Sequence, residues 1–357
     1  VNKNNTAVNL VHLNSTPGGI EVLLPGIIRG VREIDFRVFV IRSRNDTTPF
    51  VYDGLEEKIS YGSRNNFIAI RKLFRFARRR RSEIFHLFNT GPLFIIIMRL
   101  AGAKRIIYSI HGTIYWHNSF EKISRLILWR FAMRGNDILF TANSEYSRDM
   151  FRSKISGSIK CKVLYNYFDQ NRYAVTSDQI ADDHVMKIIY VGRLAHGKGL
   201  DKWIDTAMKI HTVRSDIEFF IYGAGELDLT LRKKIDDSDA TGYIQMMGYR
   251  ADMDEVYRDA DLLLFLSEYE SFGNVVVESI LSGVPVLVSD IPALREVLSD
   301  FPEFILSSSP DIPSQVLAKT VNMRVLREKA SAARDIFRTR YSAERHFKSL
   351  TGFYERI

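Results

Sequence analysis

The chain has 357 residues, 46% hydrophobic and 26% charged, with 50 Lys and Arg against 42 Asp and Glu for a net charge of +8. Such a length is too great for one ordinary core and suits two domains, and the composition is that of a globular protein rather than a disordered one. A single cysteine, Cys161, excludes an internal disulfide and any cysteine-based zinc cluster; no apolar run approaches the roughly twenty residues of a membrane span, so the sequence predicts neither a spanning helix nor a signal peptide and points to the cytoplasm.

Strands alternate with helices from end to end. Apolar runs predict strands at 7–13, 36–41, 84–88, 105–110 and 137–142 in the first half, then at 187–191, 217–222, 243–247, 262–266 and 285–289. This α/β alternation predicts two parallel, doubly wound, Rossmann-like sheets. A polar stretch marks the break, giving a first domain over 1–168, a linker over 169–184 and a second domain over 185–339; the tail from Arg324 onward reads as helices.

Charge is divided unevenly. Residues 1–165 hold 27 Lys and Arg against 12 Asp and Glu, and the remainder holds 23 against 30. The basic half should face an anionic partner. Its densest piece, 67–81, ends in Arg78-Arg79-Arg80-Arg81, and on a helix Ile70, Leu73, Phe74 and Ala77 share one face. That face fits either an anionic membrane surface, as a peripheral contact, or the core beneath an ordinary amphipathic helix. Nucleic acid is not expected as a partner, since no recognition motif accompanies the charge.

Two constellations in the second half carry chemistry. After the strand at 187–191 come Gly192-Arg193-Leu194-Ala195-His196-Gly197-Lys198-Gly199 and an amphipathic helix over 200–210. Strand, glycine-rich turn and helix make a phosphate cradle, with Arg193 and Lys198 as its cations. Gly192 to Lys198 also spells the GxxxxGK core of a P-loop, but Gly199 stands where that motif needs Ser or Thr for magnesium. About seventy residues later Glu270 and Glu278 bracket Ser271-Phe272-Gly273-Asn274 at a strand-to-helix junction. A carboxylate accepts two hydrogen bonds from a diol, and a helix start offers N–H groups to phosphate, so the pair suits a phosphate-bearing molecule with hydroxyls.

Taken with Gly223-Ala224-Gly225, Gly248 and, in the first half, Gly18-Gly19-Ile20-Glu21, His111-Gly112-Thr113, Ser144-Glu145 and Asn166, the chain resembles a retaining glycosyltransferase of the GT-B fold, family 4 (glycosyl transferases group 1). The resemblance covers nearly the whole sequence. It departs at Asn166-Tyr167-Phe168-Asp169, where the family has Asn-Gly-Val-Asp. It implies two domains facing each other across a cleft, with a last helix, about 340–357, crossing back onto the first. The substrate implied is a nucleoside diphosphate sugar, with no metal or other cofactor, and the acceptor is a glycan or lipid-linked molecule of a bacterial cell-surface polysaccharide or lipopolysaccharide. Catalytic roles fall to His111, Arg193, Lys198 and Glu270. Donor binding falls to Gly18, Gly19, Gly248, Tyr249, Arg250, Ser271, Phe272, Gly273, Asn274 and Glu278, with Glu278 on the ribose and Glu270 on the sugar.

Other readings remain open at this point. A nucleotide hydrolase would use the P-loop-like run, and a sugar-nucleotide epimerase would use the same diphosphate cradle with added acid and base groups. Three DxD runs, Asp237-Ser238-Asp239, Asp252-Met253-Asp254 and Asp259-Ala260-Asp261, match the metal motif of other transferases and equally match helix caps and exposed helix positions.

Overall fold

The structure, a computed structural model, describes residues 6–14, 19–42, 58–112, 114, 118–135, 138–170, 172–173, 185–308 and 311–357. It divides into two units, one running to Tyr167 and taking in Ala343–Ile357, the other Phe168–Ser342. In chain order the first unit contains β1 (Thr6–Asn14), α1 (Gly19–Gly30), β2 (Ile34–Arg42), β3 (Ile59–Tyr61), α2 (Asn66–Arg79), β4 (Ile84–Phe88), α3 (Pro92–Leu100), β5 (Arg105–Ile110), α4 (Ser119–Ala132), β6 (Ile138–Ala142), α5 (Glu145–Lys154) and β7 (Cys161–Val163). The second contains β8 (Met186–Val191), α6 (Leu200–His211), β9 (Ile217–Tyr222), α7 (Asp228–Asp237), β10 (Ile244–Gly248), α8 (Met253–Arg258), β11 (Leu262–Phe265), α9 (Asn274–Leu281), β12 (Val286–Ser289), α10 (Pro292–Val297), β13 (Ile305–Leu306), α11 (Ile312–Thr320) and α12 (Met323–Arg340). The last helix, α13 (Ala343–Tyr354), returns to the first unit.

Both sheets are wholly parallel, as the alternation predicts. The first has seven strands in the order β3, β2, β1, β4, β5, β6, β7, and the second six in the order β10, β9, β8, β11, β12, β13. In each the order reverses beside the first strand, between β1 and β4 and between β8 and β11. A crevice outside the carboxyl ends of the strands opens at such a switch point, and ligands of doubly wound sheets bind there.

Side chains alternate across the first sheet. Phe85, Leu87, Tyr108 and Phe140 face one layer, where they meet Leu73 of α2, Met98 of α3 and Trp129 of α4. Val8, Leu10, Phe36 and Val38 face the other, where they meet Leu24 of α1 and Leu350 and Phe353 of α13. α13 is further tied down by polar contacts. The His86 ring bonds Tyr354 Oη through Nδ1 at 2.8 Å and Ser109 Oγ through Nε2 at 2.6 Å, while His346 Nδ1 lies 2.7 Å from the Tyr165 carbonyl.

The segment that departs from the family pattern sits at the division between the units. The Tyr167 hydroxyl donates to the Leu23 carbonyl at 2.8 Å and its ring packs on His346 and Phe347, all in the first unit. Phe168 instead bridges Ser342 and stacks near Phe272 in the second. Aromatic residues in place of Gly and Val thus each enter a core. Most of the segment expected as a linker, 174–184, lies outside the described residues.

Two differences from expectation concern the sheet edges and α2. Strands β3, β7 and β13 were not apparent from the sequence; each is two or three residues long and closes an edge. Of the α2 face read from the sequence, Leu73 and Ala77 enter the core together with Ala69 and Phe76, while Ile70 is half-buried and Phe74 stays exposed, so the side that covers the sheet is rotated from the one expected.

Burial also lowers the pKa of three histidines in this unit: His86 well below 6.5, His111 to about 3 and His346 to about 4. Each is neutral when folded and takes up a proton more readily when unfolded. Their contribution to stability is therefore complete above pH 6.5 and is lost as pH falls below it. The melting temperature should fall between about pH 6.5 and 5, before carboxylates titrate, and a His111→Asn/His346→Asn variant should show a shallower slope in calorimetry over that window.

Candidate active site

The second unit builds its site from two loops that leave adjacent strands at the switch point. β8 runs through Met186, Ile188, Ile189, Tyr190 and Val191, all buried, and its chain then enters Gly192–Gly199 before α6. β11 is buried throughout and leads through Leu266 and Ser267 to Glu270. The indole of Trp203 on α6 donates to the Leu264 carbonyl at 2.9 Å, which fixes the helix to the neighbouring strand.

The loops are stitched together around two charges. Lys198 Nζ lies 2.6 Å from Glu270 Oε1, with the side chains only 17% and 14% exposed. The Ser267 hydroxyl lies 3.1 Å from the same Glu270 oxygen. The Tyr269 hydroxyl donates to the His196 carbonyl at 3.0 Å, and the Glu268 N–H to the Gly197 carbonyl at 3.0 Å. An ammonium has three donors and a carboxylate two oxygens. The pair therefore keeps donors on Lys198 and an oxygen, Oε2, on Glu270 for a ligand. The Arg193 side chain, on the same loop, is exposed.

Gly273 is the N-cap of α9 in the left-handed region, φ 101°, where a Cβ would meet Leu294 Cδ2 at 2.6 Å. The start of α9 therefore lies beside Glu270 and Ser271 with a backbone that only glycine permits. The Phe272 side chain belongs to the core, edge-on to Tyr341 at 5.3 Å, so only its backbone can meet a ligand. One turn into α9, Glu278 Oε2 accepts from the buried Tyr257 hydroxyl at 3.2 Å. Burial raises the Glu278 pKa above its ordinary 4.5, with the Tyr257 bond and the Arg172 charge opposing the shift.

Gly248 closes β10 with φ 73°, and Tyr249 and Arg250 follow it, exposed, at the carboxyl end of the edge strand. The structure thus gathers Arg193, Lys198, Glu270, Ser271, Gly273, Asn274 and Glu278 at the switch point, with Gly248, Tyr249 and Arg250 at the same end of the sheet. Ser267, Tyr257 and Tyr269 were missed by sequence reasoning. Ser267 carried a signal, since it directly follows the apolar strand; the tyrosines carried none.

The remaining candidates belong to the first unit. Gly19 opens α1 after β1, and Gly18 lies outside the described residues. His111 follows β5 and lines a cavity with room for about one water, together with His86, Ser109, Thr141 and His346. Held neutral by burial and by His346, it carries no charge at neutral pH.

One aspartate of each DxD run has structural work. Asp252 caps α8 by accepting from the Asp254 N–H, Asp237 pairs with Lys233, and the buried Asp261 holds Arg327 at 2.7 Å and the Lys187 N–H at 2.8 Å. Among the described residues no group of His, Cys, Asp and Glu is arranged to hold a metal ion.

Comparison with known proteins agrees with this architecture. Residues 17–172 match the family model described as Glycosyltransferase Family 4, and residues 178–331 the one described as Glycosyl transferases group 1. A crystal structure of Anabaena Alr3699/HepE in complex with UDP-glucose superposes with a TM-score of 0.79 at 20% identity, covering 99% of this chain and 100% of that one. The chain carries the two domains of a GT-B glycosyltransferase. Over 105 residues, 29% of its length, it is 33% identical to the UDP-N-acetylglucosamine–peptide N-acetylglucosaminyltransferase GtfA subunit of Streptococcus pneumoniae, and spans 21% of that relative. Over 176 residues it is 23% identical to the lipopolysaccharide core biosynthesis mannosyltransferase LpsB of Rhizobium meliloti, covering 46% of this chain and 50% of that protein.

In this GT-B chain the P-loop-like run is not a P-loop. Gly199 has φ 66°, and a Cβ there would stand 1.9 Å from the Leu266 carbonyl oxygen, so the Ser or Thr that would hold magnesium has no room. Gly199→Ser should therefore destabilise the second unit by about 2 kcal/mol or more in denaturant unfolding. A variant as stable as wild type would show that the turn is not built as described.

Proposed function

We propose that the chain is a retaining, metal-independent glycosyltransferase of family 4 that moves a sugar from a nucleoside diphosphate sugar to an acceptor hydroxyl in bacterial cell-surface polysaccharide or lipid-linked glycan synthesis. The observation that carries this reading is the Lys198–Glu270 pair at the switch point of the second sheet, just before the start of α9, the helix that carries Glu278 one turn on. The names of relatives support the substrate class: one acts in lipopolysaccharide core biosynthesis, and a protein of like fold was solved with UDP-glucose.

In the proposed complex the diphosphate gains charge as the anomeric bond breaks. Lys198 donates to it while still held by Glu270, and Arg193 adds a second cation; each charge-assisted bond contributes about 1.5–3 kcal/mol, counted only where it strengthens in the transition state. These cations take the role that a metal plays in other transferases. Glu270 Oε2 receives a sugar hydroxyl, and Glu278 Oε1 a ribose hydroxyl. The α9 N-terminus, at Gly273 and Asn274, adds its partial positive charge.

Two features favour retention. An inverting transfer needs a strong general base for the acceptor, best with a pKa near the working pH. Glu270 is engaged with Lys198, and His111 has its pKa lowered to about 3. His111 is therefore no such base and Glu270 is committed to its ion pair, which fits a mechanism in which the departing diphosphate takes the acceptor proton on the same face. The same weakness tells against an epimerase.

The two glutamates should separate in experiment. Glu278→Gln should chiefly weaken nucleoside diphosphate binding in calorimetry, and the wild-type affinity should fall on acidification through the raised Glu278 pKa while the variant's stays flat. Glu270→Gln should keep most of that affinity and lower turnover by about a hundredfold. Activity should survive chelation, with the anomeric configuration kept in the product by NMR. Turnover restored only by a divalent metal, or an inverted product, would contradict the proposal.

A further inference from the structure

The segment expected as a linker begins as part of the second unit. The Phe168 ring lies against Phe272 and Tyr341, and the Tyr173 ring is buried 6.4 Å from that of Phe168. Next to Tyr173, the Arg172 N–H donates to the Asp169 carbonyl at 3.1 Å. A buried neighbour and a backbone bond fix the point from which the Arg172 side chain leaves. That side chain reaches three parts of the donor site. Its Nη2 donates to the Ala251 carbonyl at 3.1 Å, directly after Gly248, Tyr249 and Arg250. Its Nε lies 4.0 Å from Asp254 Oδ1, an oxygen closed off from solvent with no hydrogen bond among the described residues. Asp254 stands three residues before Tyr257, on the same side of α8, and Tyr257 is the phenol that donates to Glu278.

Charge decides what this contact does. The groups that face Glu278 are Tyr257 from α8 and Arg172 and Tyr173 from this segment, with Asp254 near enough to Tyr173 to act on it. The other elements packed on α9 turn apolar side chains toward it: β11 throughout, Val286, Leu287 and Val288 of β12, and Ala330, Ala333 and Phe337 of α12. Arg172 is therefore the cation that acts on Glu278, and it opposes the rise that burial gives the Glu278 pKa. Glu278 Oε2 already accepts from Tyr257, so a proton on Oε1 would take away the oxygen left for a ribose hydroxyl. A cation held close keeps such a buried carboxyl ionised.

We propose that Arg172 is a positioning residue of the nucleoside side of the site: it pins the loop after β10 by the Ala251 carbonyl and is the counter-charge that keeps Glu278 a carboxylate, ready to accept from a ribose hydroxyl. It acts through these groups and not on the reacting atoms. The ribose clause rests on the role proposed for Glu278 above; the charge coupling between Arg172 and Glu278 does not.

The test is the titration of the Glu278 carboxyl by carbon-13 NMR in the full chain labelled on glutamate, with its signal assigned by its absence from Glu278→Gln. The Arg172 side chain is 42% exposed, so replacing it leaves the core intact. Arg172→Gln should move the Glu278 midpoint to higher pH, and Arg172→Lys, which keeps the charge, should leave it near wild type. UDP affinity, measured by calorimetry at stepped pH, should follow. On acidification it should be lost at a higher pH in Arg172→Gln than in wild type, because a carboxylate whose pKa rises is protonated earlier. An unchanged Glu278 midpoint in Arg172→Gln, or a shift as large in Arg172→Lys, would overturn the proposal. A midpoint that moves while UDP affinity ignores pH would instead sink the ribose role proposed for Glu278 and leave the coupling standing.

Discussion

The ion pair between Lys198 and Glu270 is the constraint on which the second unit's site depends. At 2.6 Å and with little exposure on either side, each charge offsets part of the cost of burying the other. A surface pair is worth about 0–1 kcal/mol, whereas breaking a fully buried one costs about 3–5; this pair lies between those limits. What it gains is position. It ties the loop after β8 to the loop after β11, so that the glycine-rich turn and the start of α9 are presented together at the switch point. The surrounding structure serves the same end: Trp203 fixes α6 to β11, Ser267 holds the carboxylate from below, and Gly199 lets the chain turn against the Leu266 carbonyl.

The sequence and the fold agree best where burial is deepest. The interior strands of both sheets announce themselves as apolar runs, and their bounds match to within a residue or two, because a parallel strand covered on both faces needs apolar residues at nearly every position. The edge strands β3, β7 and β13 had no such signature, since edges bury little. On α2 the period was legible but the face was not: Ala69 and Phe76 turn inward with Leu73 and Ala77, while Phe74 stays largely outside. α4 has apolar residues on two sides, and only the packing of Trp129 and Ala132 shows which side is the core. At the site, each motif was visible on its own. The contact of Lys198 with Glu270 and the support of Glu278 by Tyr257 join residues far apart in sequence, and no local pattern encodes them.

The two sheets share one topology and put it to different use. In the second unit the switch point carries charge: a cationic loop, two glutamates and a helix terminus. In the first, β4, β5 and β6 enclose histidines kept neutral by burial beside the Ser109 and Thr141 hydroxyls, and Tyr354 of α13 is held by His86. Charge on the first unit lies instead on its outer helices. Fold alone would not separate these roles; the side chains at the strand ends do.

The central claim is that Lys198 and Glu270 act as one unit in sugar transfer. A double-mutant cycle on kcat with a nucleoside diphosphate sugar, using Lys198→Ala, Glu270→Gln and both together, tests it most directly. The account predicts that each single variant loses about a hundredfold or more, and that the double variant loses no more than the worse of the two. Losses that multiply would show two independent residues and contradict it.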